Sequence, residues 1–364
     1  MRTTSRRAMG VIAGVVTALS ASACSSGNAT KNASAGSTAT TATQASGTAT
    51  TSGKPQTITP INLACAPTIT GLPIEYAMEN GLDVKNGIKI ACQQVTSGPE
   101  EVAAMISGAI NVAGLNPSNF FPVLDRGTKM VAFEPVLAVP FFDLIVRKGF
   151  PLPDQAQGWK GVMKDLEHAK IGVVARGAAA EDLARALFQY AGLPDNQATY
   201  IATGLATTTL AAMSKGQIDA AMTFEPGITL AVSQGIATEP FSIEEHTGPP
   251  QMDSWGSLMY TTTATYAQSN MATLKKFQTT YEQGLAWVEN PANKNAVVAL
   301  TEKYLGLSAA VATALVNRNL PFFSKATTIQ ASSYNALGDF YYKMGVAKKD
   351  YHVSDYAINL ANTP

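Results

Sequence analysis

Met105-Ile-Ser-Gly-Ala-Ile-Asn-Val-Ala113 and Met213-Ser-Lys-Gly-Gln-Ile-Asp-Ala-Ala221 carry one pattern, M-x-x-G-x-I-[ND]-x-A, 108 positions apart. Each runs on to a proline, at Asn116-Pro117 and at Glu225-Pro226. The pattern predicts the end of an amphipathic helix, a glycine turn, a short buried strand and then a new helix. Glycine relaxes the backbone for the turn, and proline suits the first turn of the helix that follows. One copy in each half of the chain predicts two similar α/β lobes. They would face each other across a cleft lined at the two proline-marked strand ends.

Outward from these segments the chain alternates strand and helix. Apolar strands are expected at 61–66, 87–94, 110–115, 130–134 and 143–147, with helices at 72–80, from Ser97 onward and at 117–125. Ser97 and Glu100 have the spacing of a capping box. A second run gives helices at 162–167, 179–190 and 207–214 between strands at 170–175, 199–202 and 218–224. This rhythm calls for an open, mostly parallel sheet with helices on both faces. Residues 258–263 read as a strand returning to the first lobe. After Met271, Leu274, Phe277, Tyr281, Leu285 and Val288 recur at helical spacing, and further helices at 296–304, 308–318 and 331–344 are expected to pack outside the first lobe.

The start of the chain reads differently. Arg2, Arg6 and Arg7 precede an apolar run from Val11 to Leu19 and then Ser20-Ala-Ser-Ala-Cys24, the order of an export signal. Small residues before a cysteine resemble the bacterial lipobox, which makes Cys24 a lipidation site; cleavage after Ala23 without lipidation is the other reading. Ser5-Arg6-Arg7 also resembles a twin-arginine signal. Residues 25 to 56 are mostly Ser, Thr, Ala and Gly, a composition expected to form a tether rather than a core. Lys plus Arg and Asp plus Glu number 26 each, and no basic stripe exists, which argues against nucleic acid as partner. No later stretch has the length and apolarity of a membrane span. Beyond Cys24 two cysteines remain, Cys65 and Cys92, both in strand-like runs of a chain read as exported. If those strands are parallel neighbours a disulfide is geometrically reasonable; two buried thiols are the alternative.

Three segments carry a family resemblance: Ser97 to Ala113, Ile171-Gly-Val-Val-Ala-Arg-Gly177, and Ala211 to Pro226. Phe277 to Leu307 adds to them, with Trp287-Val-Glu-Asn-Pro291 and Lys303-Tyr-Leu-Gly-Leu307. In order and spacing the chain resembles the periplasmic-type solute-binding proteins of ABC importers, in the nitrate/sulfonate/taurine-like branch that also holds thiamine-pyrimidine binders. The resemblance implies a two-lobed type II fold, each lobe a mostly parallel sheet flanked by helices, with a small organic solute in the hinged cleft. It also implies delivery of that solute to an ABC permease; no cofactor or metal is expected, and the chain is read as a monomer held to the cell envelope by the lipid on Cys24. The expected divisions are a signal peptide at 1–23, a linker at 24–56, lobe 1 at 57–147 and 258–364, and lobe 2 at 148–257.

Ligands of open α/β sheets sit beyond the carboxyl ends of strands. Those ends carry Thr68, Thr70, Ser97, Gly98, Asn116, Ser118, Arg176, Gly177, Ala178, Thr203 and Glu225. Each Ser, Thr or Asn is also a plain helix cap in the making; facing one cleft together, they point to binding. Relatives often have a hydroxyl just after Arg-Gly, where this chain has Ala178, Ala179 and Ala180, which weakens the case for a sulfonate or nitrate. Phe133-Glu134-Pro135 repeats the wording of Phe224-Glu225-Pro226, so Glu134 joins the candidates; pairing with Arg126 or Lys129 is its alternative. Two carboxylates would favour an amine, a heterocycle N–H or a polyhydroxyl group. Phe141, Phe142 and Trp255 are candidates for an aromatic wall or for core packing. An enzyme on the same fold, desulfinase- or dehydratase-like, is the competing reading. Cys65 decides it: bridged, it supplies no nucleophile.

Overall fold

A computed structural model of the chain describes residues 57–362. The expected signal peptide, the tether and Cys24 lie outside the described residues. The strands are β1 (Thr59–Cys65), β2 (Ile88–Gln94), β3 (Ala113–Leu115), β4 (Met130–Pro135), β5 (Asp143–Arg147), β6 (Lys170–Val173), β7 (Thr199–Ala202), β8 (Ala220–Thr223), β9 (Ala237–Thr238) and β10 (Met259–Thr263). The helices before the second repeat are α1 (Leu72–Glu79), α2 (Leu82–Lys85), α3 (Gly98–Ile106), α4 (Pro117–Asp125), α5 (Trp159–Asp165), α6 (Ala179–Tyr190) and α7 (Ala206–Ser214). After it come α8 (Gly227–Ser233), α9 (Ala264–Glu289), α10 (Lys294–Leu305), α11 (Ala309–Asn319), α12 (Ala331–Lys343) and α13 (Val353–Tyr356).

The fold is α/β and two-lobed. In the first lobe β1 pairs in parallel with β2, and Leu63 of β1 bridges in parallel to Val112, just ahead of β3. β10 then lies antiparallel between β3 and β4. In the second lobe the order is β7-β6-β8-β5-β9, parallel from β6 to β7 and β8, antiparallel where β5 meets β8 and β9. Each lobe thus has a parallel part and one antiparallel strand. Residues 143–147 were expected in lobe 1; as β5 they pair with β8 and β9, so the first crossing between sheets falls before Asp143. The reason is burial: four of the five β5 residues are buried, which suits the inside of the larger sheet.

The repeat does the same work in both lobes. Gly108 and Gly216 take positive φ, +80° and +65°, a conformation glycine adopts without the usual penalty. Met105, Met213, Ile110 and Ile218 on either side are buried, at about 1.5–3 kcal/mol for each such side chain. The next residue ties the turn to the neighbouring strand. Asn111 donates its N–H to the Asn62 carbonyl (2.8 Å) and accepts the Asn62 N–H on Oδ1 (2.8 Å). Asp219 does likewise with Lys170, at 2.8 and 3.0 Å.

The helices follow from their apolar spacing. α6 buries Ala180, Leu183, Ala184, Leu187 and Phe188 on one face. α9 lies against α1 at Gly284, where a Cβ would meet the Pro73 carbonyl oxygen at 2.1 Å. The tail was expected outside the first lobe alone. α9 and α10 meet α1 as expected, but Arg318 of α11 reaches second-lobe residues, donating to Glu239 from Nη1 (2.5 Å) and Nη2 (2.6 Å) and to Asp143 (3.2 Å). A guanidinium flanked by Asp143, Glu225, Glu239 and Glu244 could not stay in an apolar stripe.

Candidate functional site

A cavity of about 130 Å³ opens at the carboxyl ends of the parallel strands. Its walls come from both sheets. The first contributes the β1–α1 turn (Thr68, Thr70, Gly71), the start of α3 (Ser97, Gly98, Glu101) and the start of α4 (Asn116, Asn119). The second contributes Phe141 and Phe142 ahead of β5, Ala178 to Ala180 at the start of α6, and Phe224 after β8.

Most of the wall is apolar. Phe141 and Phe224 stack with centroids 4.7 Å apart, and Phe142 meets Phe224 edge-on at 5.5 Å. The volume is close to the roughly 150 Å³ of a dry cavity that holds benzene, so one ring with a short substituent fits. The polar atoms are few. Thr68 and Thr70 bond each other through their hydroxyls (2.7 Å). Ser97 caps nothing; Thr96 instead donates its N–H and hydroxyl to Glu100, both at 2.7 Å. The capping box expected from Ser97 and Glu100 does not form, and the Ser97 hydroxyl has no hydrogen-bond partner among the described residues. The amides of Asn116 and Asn119 likewise have no hydrogen-bond partner among the described residues. Gly98 is what lets Asn119 lie there, since a Cβ at that position would come within 2.2 Å of its Nδ2.

Two carboxyl groups line the cavity, Glu75 on α1 and Glu101 on α3. Burial pushes Glu101 up to about 8, with Glu100 beside it adding to the shift. Burial also raises Glu75, helped by Glu79 and opposed by Lys303. Neither residue stood out in the sequence. Glu101 was hidden behind Glu100, whose spacing from Ser97 already had a capping explanation, and Phe224 behind Glu225 in the Phe-Glu-Pro wording.

Of the residues expected here, Thr68, Thr70, Ser97, Gly98, Asn116 and Ala178 line the cavity, as do Phe141 and Phe142. Others lie elsewhere. Ser118 is buried in the first turn of α4, two residues past Asn116. Glu181 draws Arg176 and Gly177 away from the cavity: Arg176 Nε donates to it at 2.7 Å and the Gly177 N–H at 2.9 Å. Burial alone would raise Glu181, but these donors and Arg185 prevail and hold it at about 2. Thr203 bonds Thr209 (2.8 Å). Glu225 folds back onto the N–H and hydroxyl of Thr229 (2.9 and 2.8 Å) and faces Arg318. Glu134 is buried in β4 and accepts from Gln278 at 2.6 Å, with no ion pair to Arg126 or Lys129. Trp255 packs on Phe340, centroids 4.5 Å apart. Glu134 points away with its face of β4 toward Gln278 of α9, and Glu225, just past β8, is held by Thr229 of α8.

Cys65 and Cys92 form a disulfide (Cα–Cα 5.4 Å) in the cavity wall, between the parallel strands β1 and β2. Closing a loop of 27 residues contributes about 3–4 kcal/mol in the chain-entropy account. So bridged, Cys65 presents no thiolate to the cavity.

Comparison with known proteins agrees with this architecture. The model of a family described as NMT1/THI5 like matches residues 69–294, more than half of the chain. A search of the curated proteins gives no match. Among solved structures, the alkanesulfonate-binding protein SsuA from Xanthomonas axonopodis pv. citri, bound to MOPS, superposes with a TM-score of 0.67 at 17% identity, over 85% of this chain and 100% of that one. The periplasmic aliphatic sulphonate-binding protein SsuA from Escherichia coli gives 0.63 at 19% identity, over 82% and 96%. The periplasmic nitrate-binding protein NrtA from Synechocystis PCC 6803 gives 0.64 at 12%, over 83% and 86%.

Proposed function

Because this chain belongs to the NMT1/THI5-like family, we propose that it is the solute-binding receptor of an ABC importer. It captures a small organic solute between its lobes and delivers it to a membrane permease. The observation that carries the reading is the ring-sized cavity at the strand ends, walled from both lobes and holding Ser97, Asn116 and Asn119 side chains that have no hydrogen-bond partner among the described residues. The names of the superposed sulfonate- and nitrate-binding proteins support a receptor rather than an enzyme. The bridged state of Cys65 supports it too.

The lobes are 57–142 with 258–364 and 143–257, the first crossing moved to follow β5. Binding residues are Thr68, Thr70, Ser97, Gly98, Asn116 and Ala178, joined by Asn119, Glu101 and the three phenylalanines. Closure draws on contacts made only when the lobes meet on solute, since a ligand shifts an equilibrium only through differential affinity. The receptor is exported as a monomer and held at the outer face of the membrane by a lipid on Cys24.

A thermal-shift screen of amines, neutral aromatics, sulfonates and nitrate tests this. A solute at a hundred times its Kd adds about 2.7 kcal/mol of stability, and mass spectrometry should recover it unchanged. A solute returned chemically altered would make the protein an enzyme; no stabilising solute in any class would remove the receptor reading.

A further inference from the structure

The acidic and basic side chains in the cavity wall are of one sign: Glu75 and Glu101 line it, and no Lys, Arg or His does. Glu101 sits in the first turn of α3 with neither a hydrogen bond to its carboxyl group nor an ion pair among the described residues. A carboxyl group taken from water into an apolar wall without a partner is destabilising. Such a group is offset when the ligand supplies the partner. The wall opposite is the stacked pair Phe141 and Phe224, a surface that suits a ring or attracts a cation over its face.

The starts of α3, α4 and α6 also meet the cavity, and helix N-termini favour anions. Their pull on a ligand anion is opposed here by the carboxyl groups of Glu75 and Glu101. The partly positive end of α3 already has Glu100 and Glu101 in its first turn. With Ala178 to Ala180 at the start of α6, that end offers no side-chain donor either.

We propose, resting on the receptor reading above, that the cavity takes a protonated amine on a ring-sized apolar body, with Glu101 as its counter-ion. An ammonium has three donors and no acceptor. Glu101 receives one, and the side-chain oxygens of Asn116 and Ser97 are free to receive the others. The phenylalanines cover the apolar body. Since burial and Glu100 keep the Glu101 proton on at neutral pH, the balanced step is ammonium plus carboxylic acid giving an ammonium–carboxylate pair, with one proton released to solvent. Glu75 on α1 and Glu100 on α3 are the other charged groups facing that event, and both favour the incoming cation.

Calorimetry on the full chain with three probes that share one phenethyl group decides it: phenethylamine, 2-phenylethanol and 2-phenylethanesulfonate. Phenethylamine should bind most tightly. Titrations at pH 6.5 in buffers of different ionisation enthalpy should show release of close to one proton per amine. Glu101→Gln should lower amine affinity about thirtyfold or more, as expected when one partner of a buried charge pair is removed, and Glu101→Asp should recover part of it. The Gln variant should melt no lower than the parent, because it removes a partly buried acid that has no partner among the described residues. Tighter binding of the sulfonate, or an amine affinity indifferent to Glu101→Gln, would overturn the amine assignment while leaving a receptor. Failure of all three probes and of every class in the solute screen would take down both.

Discussion

Asp219 and Lys170 close a reciprocal pair: the Asp219 N–H donates to the Lys170 carbonyl at 2.8 Å, and its carboxylate accepts the Lys170 N–H at 3.0 Å. The same carboxylate accepts from Arg147 at 3.2 Å, so one side chain joins β8, β6 and β5. Asp219→Ala should cost about 0.5–1.5 kcal/mol, the range for losing a hydrogen bond whose partners water can still reach. Asp219→Asn should cost less, because Asn111 makes the equivalent bond in the first lobe. Urea denaturation of the two variants checks the order; an Ala variant as stable as the parent would refute this role.

Gly98 packs directly against the Asn119 side chain. A methyl group at 98 would come within 2.2 Å of the Asn119 Nδ2, so Gly98→Ala should push the amide into the cavity. Solute affinity should then fall by about tenfold or more, with little change in melting temperature, since Asn119 is partly exposed and free to move. Gly98→Ala combined with Asn119→Ala should restore room. If affinity for the screened solute is unchanged in the single variant, the solute does not occupy this end of the cavity.

The repeat was legible because its glycine and isoleucine act within their own turn; the Asn/Asp position instead bonds a strand 49 residues earlier, a partner the pattern alone does not name. The alternation of strands was legible for the same reason, through apolar runs and capping positions. What sequence could not give was direction. Glu225 stands just past the end of β8 and Glu101 in the first turn of α3, but Thr229 four residues on captures the first, and none of the described residues captures the second. Arg176 stood at the right strand end and was turned outward by Glu181 five residues later. The placement of β5 in the second sheet depended on pairing with β8 and β9, a long-range choice that the Asp143–Arg147 segment alone does not encode.

Stability should fall as pH rises from the ordinary carboxyl range toward about 8. Burial raises Glu134 to about 8 and Asp182 to about 7. A raised carboxyl pKa means the folded chain holds a proton that the unfolded chain has released, so the unfolded state gains as pH climbs through that window. Glu181, held at about 2, acts oppositely and withdraws its contribution only below the ordinary range. Melting should therefore be higher at pH 5 than at pH 8.5. Glu134 is 1% exposed, and at ~1.4 kcal/mol per pKa unit its ionisation costs on the order of a few kcal/mol. Glu134→Gln, which can still accept from Gln278, should flatten the slope. A flat profile in the parent would remove the premise.

Arg318 gathers carboxylates that would otherwise repel one another. It donates to Glu239 and Asp143 and lies 3.7 Å from Glu225 and 3.6 Å from Glu244. Burial, with mutual repulsion, already raises Asp143 and Glu244 well above the usual carboxylate range. Removing the one guanidinium leaves buried acids without their cation, a change that costs about 3–5 kcal/mol. Arg318→Met should therefore be destabilised at pH 8 by roughly that amount. The loss should shrink at pH 5, where the acids protonate and no longer need a counter-ion. Lysine at 318 should rescue only part, because it lacks the fork that meets both Glu239 oxygens. Glu225→Gln, in the same cluster and away from the cavity, should change stability but not solute affinity. Chemical denaturation at the two pH values, paired with calorimetry, separates the outcomes: a loss equal at both would mean that Arg318 contributes packing, not charge.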